Sequence, residues 1–179
     1  SYFVQEAPKE NGISTAYPEL EELKYPKPGY ANPIVDLWLY NVEKKENKLL
    51  QIDSKLEDPI ISEVIWVGES VVAKLMNREA DFLEVWVADT SISTKASLTR
   101  HYESKELGGS WFEVTHNAHA VGSTGYIDTI DVDGYNHLGF FSPANASTPT
   151  ILTSGEWEVD DSAIAVNTDS RYVLSLIHI

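Results

Sequence analysis

The chain has 179 residues, 42% of them hydrophobic, with five tryptophans, enough apolar mass for a packed core and too much for a disordered chain. Its 28 acidic and 13 basic residues give a formal charge of −15, a field that repels phosphate and so argues against nucleic acid or an anionic lipid surface as partner. Cysteine is absent, which removes disulfides, thiolate zinc sites and a thiol nucleophile, while cationic partners such as free peptide amino termini stay permitted.

No apolar run approaches the roughly 20 residues needed to span a bilayer, and Ser1 opens no charged-then-apolar leader. The chain starts without Met and is expected to be a piece of a longer protein. Residues 1–24 are polar and mixed, read as a connector or the end of a preceding blade, with a helical turn expected over 18–23. Pro26, Pro28 and Pro33 cannot donate to a ladder, so 25–33 is an extended approach. Ile34 to Tyr40 then form the first β-branched and aromatic run.

The pattern after this entry repeats. Trp38 and Trp86 lie 48 positions apart, as do Leu50 and Leu98; Phe140 and Leu152 follow Trp86 and Leu98 by 54. Other short apolar runs stand between, at 63–67, 71–75 and 126–132, and 162–166 repeats the pattern of 64–68. About four short strands per repeat is the period of a β-propeller blade. A four-stranded blade has two apolar faces and buries neither alone, so blades stack radially. The expected fold is all-β over 25–173, a partial β-propeller with two complete four-stranded antiparallel blades and parts of two flanking ones. Asp133-Gly134 is the strongest hairpin signal, because both positions tolerate positive φ. Residues 174–179 break the strand pattern and read as a non-native, adapter-derived tail.

Several phrases resemble the N-terminal propeller of the dipeptidyl-peptidase IV family, above all its fungal aminopeptidase members. The first is Ala16-Tyr17-Pro18 followed by Lys24-Tyr25-Pro26-Lys27, Gly29, Asn32-Pro33 and Val35. Gly134-Tyr135, His137-Leu138 and then Leu152-Thr153, Gly155 and Trp157-Glu158-Val159 continue the likeness, with Trp111 after a Gly-Gly-Ser turn, across residues 16–173. The resemblance implies a parent serine exopeptidase that releases X-Pro or X-Ala dipeptides, with the propeller capping a C-terminal α/β-hydrolase domain. It also implies peptide substrates with a free amino terminus, a homodimer as one assembly, and a secretory-pathway setting: type II membrane, vacuolar or extracellular. No cofactor is implied.

The chain departs from the whole enzyme's pattern. Gly122-Ser123-Thr124-Gly125 has the wrong spacing for a Gly-x-Ser-x-Gly elbow, so no catalytic residue is expected in this stretch. Animal relatives carry disulfides across the region, which a chain without cysteine cannot. What the resemblance leaves here is a wall of the substrate path, lined by Trp111, Phe112 and Val114. A non-enzymatic propeller scaffold that binds proteins on its face is the other reading.

Other candidates have plainer readings beside the chemical ones. His116 and His119 have a spacing that suits metal on a helix, but no third ligand follows, and no metal is expected. Asp128, Asp131 and Asp133 hint at calcium, yet Thr129 stands at the first ligand position, so a hairpin with a solvated face is preferred. His137 reads as a hydrogen-bonded strand histidine. Glu156 and Glu158 share a strand face, without a nucleophile or pocket to serve as acid and base. Trp38, Trp66, Trp86 and Trp157 read as packing between blades. Asn145-Ala146-Ser147 is the one N-glycosylation acceptor.

Overall fold

Strands dominate the computed structural model, which describes residues 2–3, 20–21, 27–109, 111–114, 116–169 and 172–178. Residues 1–33 and 34–179 form separate units. In the first, β1 (Tyr2–Phe3) pairs antiparallel with β2 (Leu20–Glu21), so the part of 18–23 that is described is strand where a helical turn was expected. Ala16 to Pro18 and Lys24 to Pro26 lie outside the described residues.

The second unit is a succession of antiparallel sheets. Strands β3 (Trp38–Asn41) and β4 (Glu46–Leu49) form the outer pair of one blade. The next blade is β5 (Ile60–Val67), β6 (Ser70–Met76), β7 (Phe82–Asp89) and β8 (Ser97–Glu103), paired in sequence order. Then come β9 (His119–Val121), β10 (Gly125–Val132), β11 (Tyr135–Phe141) and β12 (Thr150–Ile151), again in order. A final pair, β13 (Glu158–Asn167) and β14 (Tyr172–His178), starts another blade. Trp86 and Phe140 therefore fall on the third strand of two successive four-stranded blades, and Trp38 on the first strand of the outer pair before them, in keeping with the period.

Alternation along each strand fills three interfaces. Val71, Ala73, Leu75 and Trp86 pack with Leu37, Leu39 and Leu50 of the first blade. Val67, Val72, Val85 and Val87, on the opposite face of the same sheet, meet Tyr126 and Phe141 of the next. Ile127 and Leu138 continue onto Val159, Trp157 and Val166. One sheet thus buries both faces, and it does so only because it has a neighbour on each side.

Two tryptophans depart from the packing expectation. Trp86 is 7% exposed, but Trp38 and Trp66 are 53% and 55% exposed. Leu37 and Leu39 are the residues that turn toward the second blade, which leaves Trp38 pointing away. Val64 and Trp66 occupy the face of β5 opposite Ile65 and Val67; in this unit the preceding blade presents only β3 and β4 to it.

The Asp133-Gly134 turn joins β10 to β11 with φ of +56° and +86°. Gly68 is held by contact as well as conformation: at φ +58°, a Cβ there would lie 2.3 Å from the Ser123 carbonyl oxygen in the β9–β10 turn. Ser123 is thus a hairpin-turn residue. The strand pattern does not break at Leu174. Leu174, Leu176 and Ile177 pair with Ala165, Asp160 and Val159, and bulges in β13 absorb the register shift. Among the described residues, no helix is long and apolar enough to cross a membrane.

Candidate functional site

The segment from β8 to β9 carries the side chains expected at a substrate wall. A 3-10 turn, Ser104–Leu107, ends at Gly108 and Gly109, whose φ of +91° and +82° reverse the chain. The Ser104 N–H donates to the Asp81 carbonyl at 2.8 Å, and the Phe112 N–H to the Ala80 carbonyl at 2.7 Å. These bonds fix the segment to the β6–β7 loop. That loop is itself closed by Asn77, whose Oδ1 accepts the Asp81 and Phe82 N–H groups. Trp111 is 69% exposed and Val114 60% exposed, whereas Phe112 is half-buried.

Farther along, the Ala118 N–H donates to Glu63 Oε1 at 3.0 Å and Asn117 Nδ2 to Thr129 Oγ1 at 3.2 Å. His116 is exposed and His119 half-buried at the start of β9. Among the described residues no three His, Asp or Glu come together as a metal site.

Sequence reasoning missed the charges buried at the second interface. Lys74 of β6 meets Glu63 of β5 at 2.7 Å and Asp128 of β10, in the next blade, at 2.8 Å. All three are at least nine-tenths buried. Burial pushes the Asp128 carboxyl above the ordinary carboxylate range, against the pull of Lys74. Burial alone would lower the Lys74 ammonium, but Asp128 and Glu63 outweigh it and hold it above its usual range. Asp128 is therefore no part of a solvated face, and the expectation for it is corrected; Asp131 and Asp133 are exposed. The available signal was a lysine inside the apolar run Val71-Val72-Ala73-Lys74-Leu75.

Beside this cluster, Arg100 lies 3.7 Å over the Phe141 ring and donates to the Ala146 carbonyl at 3.0 Å and to the Tyr126 hydroxyl. His137 is fully buried. Its Nε2 donates to the Gly155 carbonyl at 3.1 Å, and its Nδ1 contacts Thr153 Oγ1, which accepts the Leu138 N–H. The Trp157 ring stands edge-on to the imidazole. Glu156 and Glu158 are exposed, and Asn145 is exposed between β11 and β12.

Compared with known families, residues 2–174 match the dipeptidyl peptidase IV (DPP IV) N-terminal region. The chain belongs to that family. The match takes in both complete blades of this DPP IV N-terminal region, the 111–118 segment and the buried charges. Relatives include probable dipeptidyl-aminopeptidase B proteins of Fusarium vanettenii, 37% identical over 88% of this chain, and of Aspergillus fumigatus, 41% identical over 84%. The chain spans 18% of the length of each.

Solved structures share the fold of the DPP IV N-terminal region. A Bacteroides ovatus protein assigned as a dipeptidyl aminopeptidase IV superposes with a TM-score of 0.69 at 18% identity, over 91% of this chain and 25% of its own. The Porphyromonas gingivalis dipeptidyl peptidase 4 gives 0.64 at 20% identity, over 89% and 22%. The partial β-propeller expected from the repeats is the architecture found.

Proposed function

We propose that this chain is part of the propeller of a serine exopeptidase that releases N-terminal X-Pro and X-Ala dipeptides. In that parent a C-terminal α/β-hydrolase domain carries the catalytic serine, and this stretch contributes a wall of the substrate path. The observation that carries the reading is the family match over residues 2–174, joined to two exposed apolar side chains, Trp111 and Val114, on a segment pinned at both ends. An apolar surface held in place can bind peptide side chains without first having to be ordered. The formal charge of −15 adds a field that draws a protonated peptide amino terminus.

The test begins with the full-length gene. It should encode a Gly-x-Ser-x-Gly elbow downstream, and the protein should cleave an X-Pro p-nitroanilide until that serine becomes alanine. Trp111→Ala should raise KM for a hexapeptide more than for the p-nitroanilide. A reading frame that ends, or enters an unrelated domain, would leave the scaffold reading in possession. The parent is placed in the secretory pathway, membrane-anchored, vacuolar or extracellular, with a glycan on the exposed Asn145 and with homodimers as one assembly.

A further inference from the structure

The buried charges sit where they touch the backbone of the 111–118 segment, and that contact has a direction. Glu63 divides its two oxygens between Lys74, 2.7 Å from Oε2, and the Ala118 N–H, 3.0 Å from Oε1. Lys74 is held from its other side by Asp128 at 2.8 Å, and Asp128 Oδ1 also accepts the Thr129 N–H at 3.0 Å. Thr129 in turn receives Asn117 through its hydroxyl. The end of the segment is therefore tied to β5 of one blade by Ala118 and to β10 of the next by Asn117. An apolar residue at 63 would fill the same space but offer no acceptor to a buried N–H. The ammonium orients the carboxylate, and the carboxylate orients the loop.

We infer that Glu63 and Lys74 are positioning residues for substrate, setting the 111–118 segment so that Trp111 and Val114 present a fixed surface. The inference rests on the reading of those side chains as substrate wall. It concerns how the wall is held, and neither residue touches the peptide.

The experiment uses the full-length protein with a hexapeptide and an X-Pro p-nitroanilide. Glu63→Leu is expected to raise the hexapeptide KM about tenfold, the effect of losing one hydrogen bond to a charged acceptor, with kcat unchanged. Glu63→Gln, which keeps an acceptor, should restore most of the loss, and adding Trp111→Ala to Glu63→Leu should give little more. If Trp111→Ala raises the hexapeptide KM and Glu63→Leu does not, the positioning role is overturned and the wall stands. If Trp111→Ala has no effect, the wall reading fails, and amide exchange over 112–118 judges the tether alone. Exchange should be faster in Glu63→Leu than in Glu63→Gln; equal exchange overturns the inference. Should Glu63→Leu not fold, Glu63→Gln with Lys74→Met keeps the acceptor without its orienting charge, and wild-type KM and exchange in that pair would likewise overturn it.

Discussion

Replacing Lys74 by Met should be among the most damaging single changes in the second interface. Its ammonium makes contacts of 2.7 and 2.8 Å. Each is about 6 kcal/mol of attraction at an effective dielectric of ~20, set against several kcal/mol for desolvating each ion. What remains on removing the partner is a loss of about 3–5 kcal/mol, because two carboxylates stay buried without their cation. The loss should depend on pH with a definite sign. Asp128 is held above its ordinary 3.8, so its contribution to stability is full below that pH and is lost as pH rises through the raised native value. Lys74 is held above 10.5, so its contribution is full below that pH and is lost only at higher, alkaline pH. Lys74→Met should thus be worse near pH ~7 than near pH ~5, since acidification favours the protonated form of the buried Asp128 left without its cation. Urea unfolding of the full-length protein, followed by tryptophan fluorescence at both pH values, measures this. A deficit under 1 kcal/mol, or one that grows on acidification, would refute the reasoning.

The remaining expectations are simpler. Gly134→Ala should cost about 1–2 kcal/mol, because only its φ of +86° is strained and the space around it is open. Gly68→Ala adds a contact of 2.3 Å with the Ser123 carbonyl, so it should cost a further ~1–3 kcal/mol and show the larger drop in melting temperature. Arg100→Met leaves the Ala146 carbonyl and the Tyr126 hydroxyl without their donor and removes the cation from Phe141, a loss of about 3 kcal/mol. Arg100→Lys should recover little of it, since a point charge cannot reproduce the planar fork in a denaturation curve. Expression in a eukaryotic host should give a mass that an N-glycosidase lowers, and Asn145→Gln should abolish that shift.

The blades were legible because their signal is local and repeated. The apolar runs of β6 and β7, the Asp133-Gly134 turn and the spacing from Trp38 to Trp86 each belong to one strand or one period, so a linear reading reaches them. The same reading put Trp38 and Trp66 in the packing because it recognises apolar residues without saying which side of a sheet has a neighbour. Exposure at those two positions follows from the arrangement of sheets around them, and no property of tryptophan reveals it.

The charge cluster was illegible for a different reason. Glu63, Lys74 and Asp128 are drawn from three strands of two blades, and each looks in sequence like one acid or base on an otherwise apolar strand. A solvated face was the natural reading of Asp128, next to the exposed Asp131 and Asp133. What separates it from them is strand parity. Asp128 shares the face of Tyr126 and Ile130, which turns to the previous blade, and Lys74 shares the face of Val72, which turns back toward it. Once radial stacking of the sheets is granted, these two parities oblige an acid and a base to meet inside an apolar interface. There they stay buried because each neutralises the other. The end of the 111–118 segment is tied to that meeting through Glu63, and so the family resemblance could nominate Trp111, Phe112 and Val114 but could not show what holds them.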